Sequence, residues 1–147
     1  MPSRFLKVAL LVVLPLVAPL SFADETETIQ DYRHGAYEAI GGHMTAIVQI
    51  LRNRYRPADL AYHANAMAGL ANIVPELFPE GSGGPKTEAL DAIWEQPEAF
   101  DQRMQDFVKA ADGMAAAAAT GDMAKAGGAL KTLGQACKGC HDNFRAE

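Results

Sequence analysis

The chain has 147 residues, only two cysteines, and 18 acidic against 13 basic side chains, a formal charge of −5. That length suits one domain able to bury a core, the acidic balance speaks against a nucleic-acid partner, and two cysteines are too few for a disulfide-stapled scaffold.

Residues 1–23 read as a secretory leader. Arg4 and Lys7 precede an apolar run from Val8 to Leu20, and Ser21-Phe22-Ala23 places small residues before a cut after Ala23. The run falls short of the roughly 20 residues that span a bilayer, and Pro15 and Pro19 interrupt it. The expectation is therefore an exported, periplasmic protein with no membrane span once the leader is removed, its one domain comprising residues 24–147.

Four helices follow, because apolar side chains recur at intervals of three and four and never at two. The first, about Glu27 to Arg54, carries Ile29, Tyr32, Arg33, Ala36, Tyr37, Ile40, Met44, Ile47, Ile50 and Leu51 on one stripe. The second starts after Pro57 and runs through Leu60, Ala64, Met67, Leu70, Ala71 and Val74 to near Pro75. Gly81 to Pro85 marks the longest connection, which ends near Trp94 and Pro97. A third helix carries Phe100, Met104, Phe107, Val108, Ala111, Met114, Ala115 and Ala118 to a stop at Thr120-Gly121. The fourth begins at Asp122, an N-cap residue type, and turns Met123, Ala126, Leu130, Leu133, Cys137, His141 and Phe144 inward. Gly127, Gly128 and Gly134 each cost that helix about 1 kcal/mol relative to alanine, which suggests close approach by a neighbouring helix or a ligand. The fold class is all-α, an antiparallel four-helix bundle with a cofactor site between facing helices.

The decisive motif is Cys137-Lys138-Gly139-Cys140-His141. Two thiols at this spacing add to the vinyl groups of a haem, and the adjacent imidazole ligates its iron, so the reading is one haem c held by Cys137 and Cys140 with His141 as axial ligand. A zinc site would need a fourth ligand, and no second cluster is visible. A thiol oxidoreductase would put Cys-x-x-Cys at the start of a helix, where the dipole lowers the thiol pKa; here the motif lies at the far end. A haem also brings two propionates. Arg33, on an apolar stripe, and Arg145, one turn after His141, are the candidates to pair with them. Met44, His34, His43 and His63 read as core filler or boundary side chains rather than ligands. Trp94 is expected to cover an edge of the cofactor or core.

The Cys-x-x-Cys-His-Asp-x-Phe-Arg ending, together with Tyr32-Arg33-x-x-x-Tyr37 and Ile93-Trp94, resembles the cytochrome c′ family over the whole chain after the leader. The resemblance implies a five-coordinate haem with His141 on one side and Tyr37 as the distal residue on the other. In low-spin relatives a methionine stands where Tyr37 stands here. A neutral phenol is a poor iron ligand, and an apolar pocket disfavours its ionisation. The sixth position is thus expected to be screened but open to small diatomic gases, nitric oxide and carbon monoxide. Single-electron transfer with an unidentified redox partner is the companion role, and a six-coordinate low-spin electron carrier with a methionine ligand is the alternative. No substrate pocket or base is recognisable, so an enzyme is not expected. Family members pair through their first two helices, and Ala61, Ala64, Ala68 and Ala71 would permit close helix contact in a homodimer.

Overall fold

The computed structural model of the chain describes residues 22–146, with side chains from Glu25 onward. The expected leader, residues 1–23, lies outside the described residues except for the backbone of Phe22 and Ala23. Four long helices are present: α1 (Phe22–Asn53), α2 (Leu60–Ala71), α4 (Pro97–Ala119) and α5 (Met123–Phe144). The one-turn helix α3 (Ala92–Glu95) interrupts the connection before α4, where the sequence suggested only loop. Among the described residues there is no strand beyond one isolated bridge between Ala89 and Arg145.

Each long helix packs on two neighbours, α1 on α2 and α5, α4 on α2 and α5. The seam between α1 and α5 is the loosest of the four. Periodicity explains the arrangement. On α1 the inward positions are 30, 33, 37, 40, 44, 47 and 50, spaced by three and four, which keeps one stripe facing the bundle. Ile47, Met67, Val74, Met114 and Leu133 are fully buried where that stripe meets α2, α4 and α5. A second cluster gathers Ile93, Phe100, Met104 and Phe144 against Phe78, Trp94 and Cys140 at the end of the bundle that carries the cysteine motif.

Local chemistry sets the boundaries. Arg56 precedes Pro57, which disfavours right-handed helix at that residue; Arg54 and Arg56 both take positive φ, 55° and 49°, and turn the chain into a 3₁₀ turn at Pro57–Asp59. The Asp122 carboxylate accepts from the amides of Ala124 at 2.9 Å and Lys125 at 3.1 Å, the capping expected at the start of α5.

Four expectations need correction. Tyr32 does not join the α1 stripe; it is exposed, and Gln30 is buried in its place because a residue one turn before Arg33 faces the same loop. His141 is exposed, since the inward line on α5 runs Ala126, Leu133, Cys137, Cys140 and Phe144, and His141 stands about 100° round from Cys140. Gly127 and Gly128 are exposed, with no protein atom within 4 Å of an added Cβ, and Gly134 meets only the Met44 methyl at an ordinary 3.9 Å, so it is not a neighbouring helix that needs these glycines. Ala64 and Ala71, suggested for contact between copies, are fully buried in the chain's own core.

Candidate functional site

The last two turns of α5 carry the thiols. Cys137 and Cys140 are three residues apart, so both turn toward the bundle, Cys137 against the main core and Cys140 against Phe100, Met104 and Phe144. Both are free and half-buried. Burial pushes the Cys137 thiol up, and pushes Cys140 up to about 11, with the neighbouring Cys137 adding to the rise. Both therefore stay protonated near neutral pH, the reverse of the lowered pKa a thiol oxidoreductase uses. Among the described residues no three of His, Cys, Asp and Glu gather to hold a metal ion. Burial, and next to it the Arg145 charge, lowers the His141 pKa, so its imidazole is neutral at neutral pH and has a free lone pair for a ligand.

Tyr37 approaches these thiols from α1. Its hydroxyl points at the Met104 sulfur, 3.9 Å away, and its ring meets Phe78 edge-on at 6.1 Å. Phe78 continues to Phe100 at 4.9 Å and Phe100 to Phe144 at 5.3 Å, both edge-to-face, so one aromatic chain crosses from α1 to α5. Burial raises the Tyr37 pKa well above its ordinary value; Cys140 and Cys137 add to the rise and Arg33 opposes it. The phenol is thus neutral, and its surroundings are apolar apart from one cation.

That cation is committed elsewhere. The two terminal amino groups of Arg33 make four hydrogen bonds, to the Leu77 carbonyl at 3.0 Å, the Ser82 hydroxyl at 2.9 Å, the Ser82 carbonyl at 2.8 Å and the Thr87 hydroxyl at 3.0 Å. Four is the number of N–H bonds those two groups possess. The guanidinium also lies over the Phe78 ring at 4.7 Å. Gln30 donates to the Gly83 carbonyl at 2.7 Å, and the Trp94 indole N–H donates to the Phe78 and Pro79 carbonyls at 3.1 Å. Trp94 packs so closely that a Cβ at Gly83 would sit 2.9 Å from its ring. Arg145 pairs with Glu88, its Nε donating at 2.7 Å. Beside that pair, Leu90 donates to the Phe144 carbonyl at 3.0 Å and Ala146 donates to the Glu88 carbonyl at 2.8 Å. The connection 78–91 is therefore fastened to α1 on one side and to the end of α5 on the other.

Both arginines that the sequence suggested for propionates thus have protein partners. Arg33 is filled by the loop, whereas Arg145 holds an exposed carboxylate that another anion could replace. Met44 faces Gly134 across the α1–α5 seam. His34 is exposed beside Glu38, and His43 and His63 lie together between α1 and α2, apart from the cysteine motif. Phe78, Gln30, Ser82, Thr87 and Glu88 escaped sequence reasoning; the one available signal was Gln30, one helical turn ahead of Arg33.

A family model described as Cytochrome C′ matches residues 28–145. The chain belongs to the cytochrome c′ family. It is 40% identical over 121 residues to cytochrome c′ of Pararhodospirillum photometricum, covering 81% of this chain and 97% of that one. The crystal structure of cytochrome c′ from Thermochromatium tepidum superposes with a TM-score of 0.80 at 30% identity, covering 88% of this chain and all of the other. A leucine-to-isoleucine variant of cytochrome c′ from Alcaligenes xylosoxidans, solved as its nitric oxide complex, superposes with a TM-score of 0.77 at 26% identity, covering 83% and 97%.

Two outcomes follow for this cytochrome c′. Arg33→Met leaves the Leu77 carbonyl and the Ser82 hydroxyl without the donor that Arg33 supplies and lowers unfolding stability by about 3 kcal/mol; urea unfolding measures it, and an unchanged midpoint would contradict the clamp. Folding raises the Tyr37 pKa, so its contribution is complete below the unfolded value of about 10 and is lost as pH rises beyond it, where the unfolded chain ionises first. Stability compared at about pH 9 and about pH 11 should therefore fall more steeply in the native sequence than in Tyr37→Phe.

Proposed function

We propose that this cytochrome c′ carries one haem c, joined through thioethers at Cys137 and Cys140 with His141 as the axial iron ligand, and binds nitric oxide and carbon monoxide at the opposite axial position. Its residues suit the group. Two neutral thiols share one helix face, a neutral imidazole follows directly, aromatic and thioether side chains line the interior beside them, and α1 meets α5 over the smallest seam of the four between adjacent long helices.

When bound, haem supplies an iron that changes oxidation state by one electron and an axial position for a diatomic molecule. The protein's own part is to hold and to screen. Each cysteine forms a C–S bond as its S–H adds across a vinyl group, and His141 presents a neutral ring nitrogen. Tyr37 would stand over the far side as a protonated phenol, crowding that side without offering a strong ligand. Arg145 is the guanidinium available to a propionate, in exchange for Glu88; Arg33 would reach one only by releasing Ser82 or Thr87. Uncharged diatomics pass this screen more readily than anions, because an apolar lining cannot replace an anion's hydration.

The observation that carries the reading is Tyr37, kept neutral by burial within electrostatic reach of both thiols. The nitric oxide complex of the related Alcaligenes protein supports the choice of ligand. A six-coordinate electron carrier is the second reading, favoured by Met104, whose sulfur lies beside the Tyr37 hydroxyl, and by Met44 across the seam from Gly134. We assign the protein to the periplasm after loss of residues 1–23, with single-electron exchange with a redox partner as a companion role. No helix among the described residues is long and apolar enough to cross a membrane.

The purified protein should give a high-spin visible spectrum; a low-spin spectrum with a methionine-to-iron charge-transfer band would favour the second reading. Tyr37→Ala should speed carbon monoxide association by about tenfold or more, because access is set by the crowding of the distal side. We also propose a homodimer through α1 and α2, where Tyr62 is exposed and Ala61 and Ala68 remain half-exposed. Light scattering after gel filtration should give twice the chain mass, and a monomer at high concentration would refute it.

A further inference from the structure

His43 on α1 and His63 on α2 face each other through their Nδ1 atoms, 3.0 Å apart. Their ring centroids are 5.2 Å apart and the planes are tilted by 57°. Tyr62 stands edge-on to both, at 6.2 Å from His43 and 5.3 Å from His63, and so limits the rotation of each ring. Both imidazoles are half-exposed in the single chain, at the margin of the α1–α2 face proposed for pairing, so their shared edge is within reach of solvent ions before copies associate. Asp59 lies one turn before His63, its carboxylate paired with Arg56.

Two imidazole nitrogens on different helices at this separation have two chemical uses. One is a single N–H···N hydrogen bond. The other is joint coordination of a cation: with metal–nitrogen bonds of about 2.0–2.1 Å, two ligands subtending about 90–109° stand about 2.9–3.4 Å apart. The observed spacing falls within that window. Coordination also uses both Nδ1 lone pairs at once, whereas the hydrogen bond requires one ring to carry its proton on Nδ1 and the other on Nε2.

We propose that His43 and His63 form an open two-histidine site for a divalent transition-metal ion, water completing its coordination, that staples α1 to α2. Imidazole donors suit copper(II), nickel(II) and zinc(II), and the affinity order puts copper(II) first. Among the described residues no third His, Cys, Asp or Glu converges with these two, so the ion exchanges with solvent rather than being sealed in. The site is separate from Cys137, Cys140 and His141 and stands whatever those residues hold.

Copper(II) titrated into the purified holoprotein should bind at one ion per chain and give an electron paramagnetic signal with nitrogen couplings. His43→Gln and His63→Gln should each weaken that binding by about tenfold or more, whereas His34→Gln, on exposed α1, leaves it unchanged. Nickel(II) should raise the thermal midpoint of the native protein and of His34→Gln but not of the other two variants, because only a site made by both helices is lost on unfolding. Should either variant fold poorly, the unmodified protein gives the same answer: substoichiometric copper(II) broadens the ring-proton signals of His43 and His63 before those of His34. Equal affinity in all variants, one ion per two chains, or broadening that begins at His34 would each overturn the site.

Discussion

Arg33 ties the long connection to the first helix, and most of the order at the cysteine end of the bundle depends on that tie. A guanidinium beside an apolar stripe is costly to bury unless its hydrogen bonds are made. Here the acceptors come from residues 77–87, so the satisfaction of one charge also fixes a loop. The loop in turn carries Phe78 into the aromatic chain and reaches the end of α5 through Glu88, Ala89 and Leu90. The helix that bears the thiols is thereby registered against α1 through a connection with little regular structure of its own.

That register produces a region where protonation states are set by burial. Tyr37, Cys137 and Cys140 are all pushed toward their neutral forms by burial, and the thiols add to the rise at Tyr37, as Cys137 does at Cys140. Among the described residues Arg33 is the cation that pulls the other way on Tyr37, and its hydrogen bonds orient it toward carbonyl and hydroxyl oxygens rather than toward the phenol. A neutral interior of aromatic and thioether side chains is what a flat apolar cofactor requires, and what a charged small ligand finds unfavourable.

The two sides of α1 are built differently. Toward α5 it presents Tyr37 and Met44 over a loose seam; toward α2 it presents buried Ile47 and Ile50 against Leu60, Ala64 and Met67, with His43 and Tyr62 at the margin. The two sides still share one core, because Ala126 and Leu133 of α5 are buried in the same cluster as Ile47 and Met67.

Much was legible in the chain itself. Spacings of three and four fixed all four long helices and most of their buried residues, because a helix with one apolar stripe has few other ways to hide it. Asp122 could be read as a cap, and the cysteine–histidine spacing pointed to the family to which the chain belongs, since both are local properties. Long-range partners were not legible. Nothing in the order of residues says that Arg33 meets Ser82 and Thr87 some fifty positions away, that Trp94 demands glycine at position 83, that Arg145 finds Glu88, or that His43 meets His63. The same holds for His141, which periodicity turned inward and which the packing of Cys140 and Phe144 left outside. Periodicity states which side of a helix is buried to within a residue or so; only the neighbouring element decides which side chain at the margin goes in, because that choice depends on atoms supplied from a distant part of the chain.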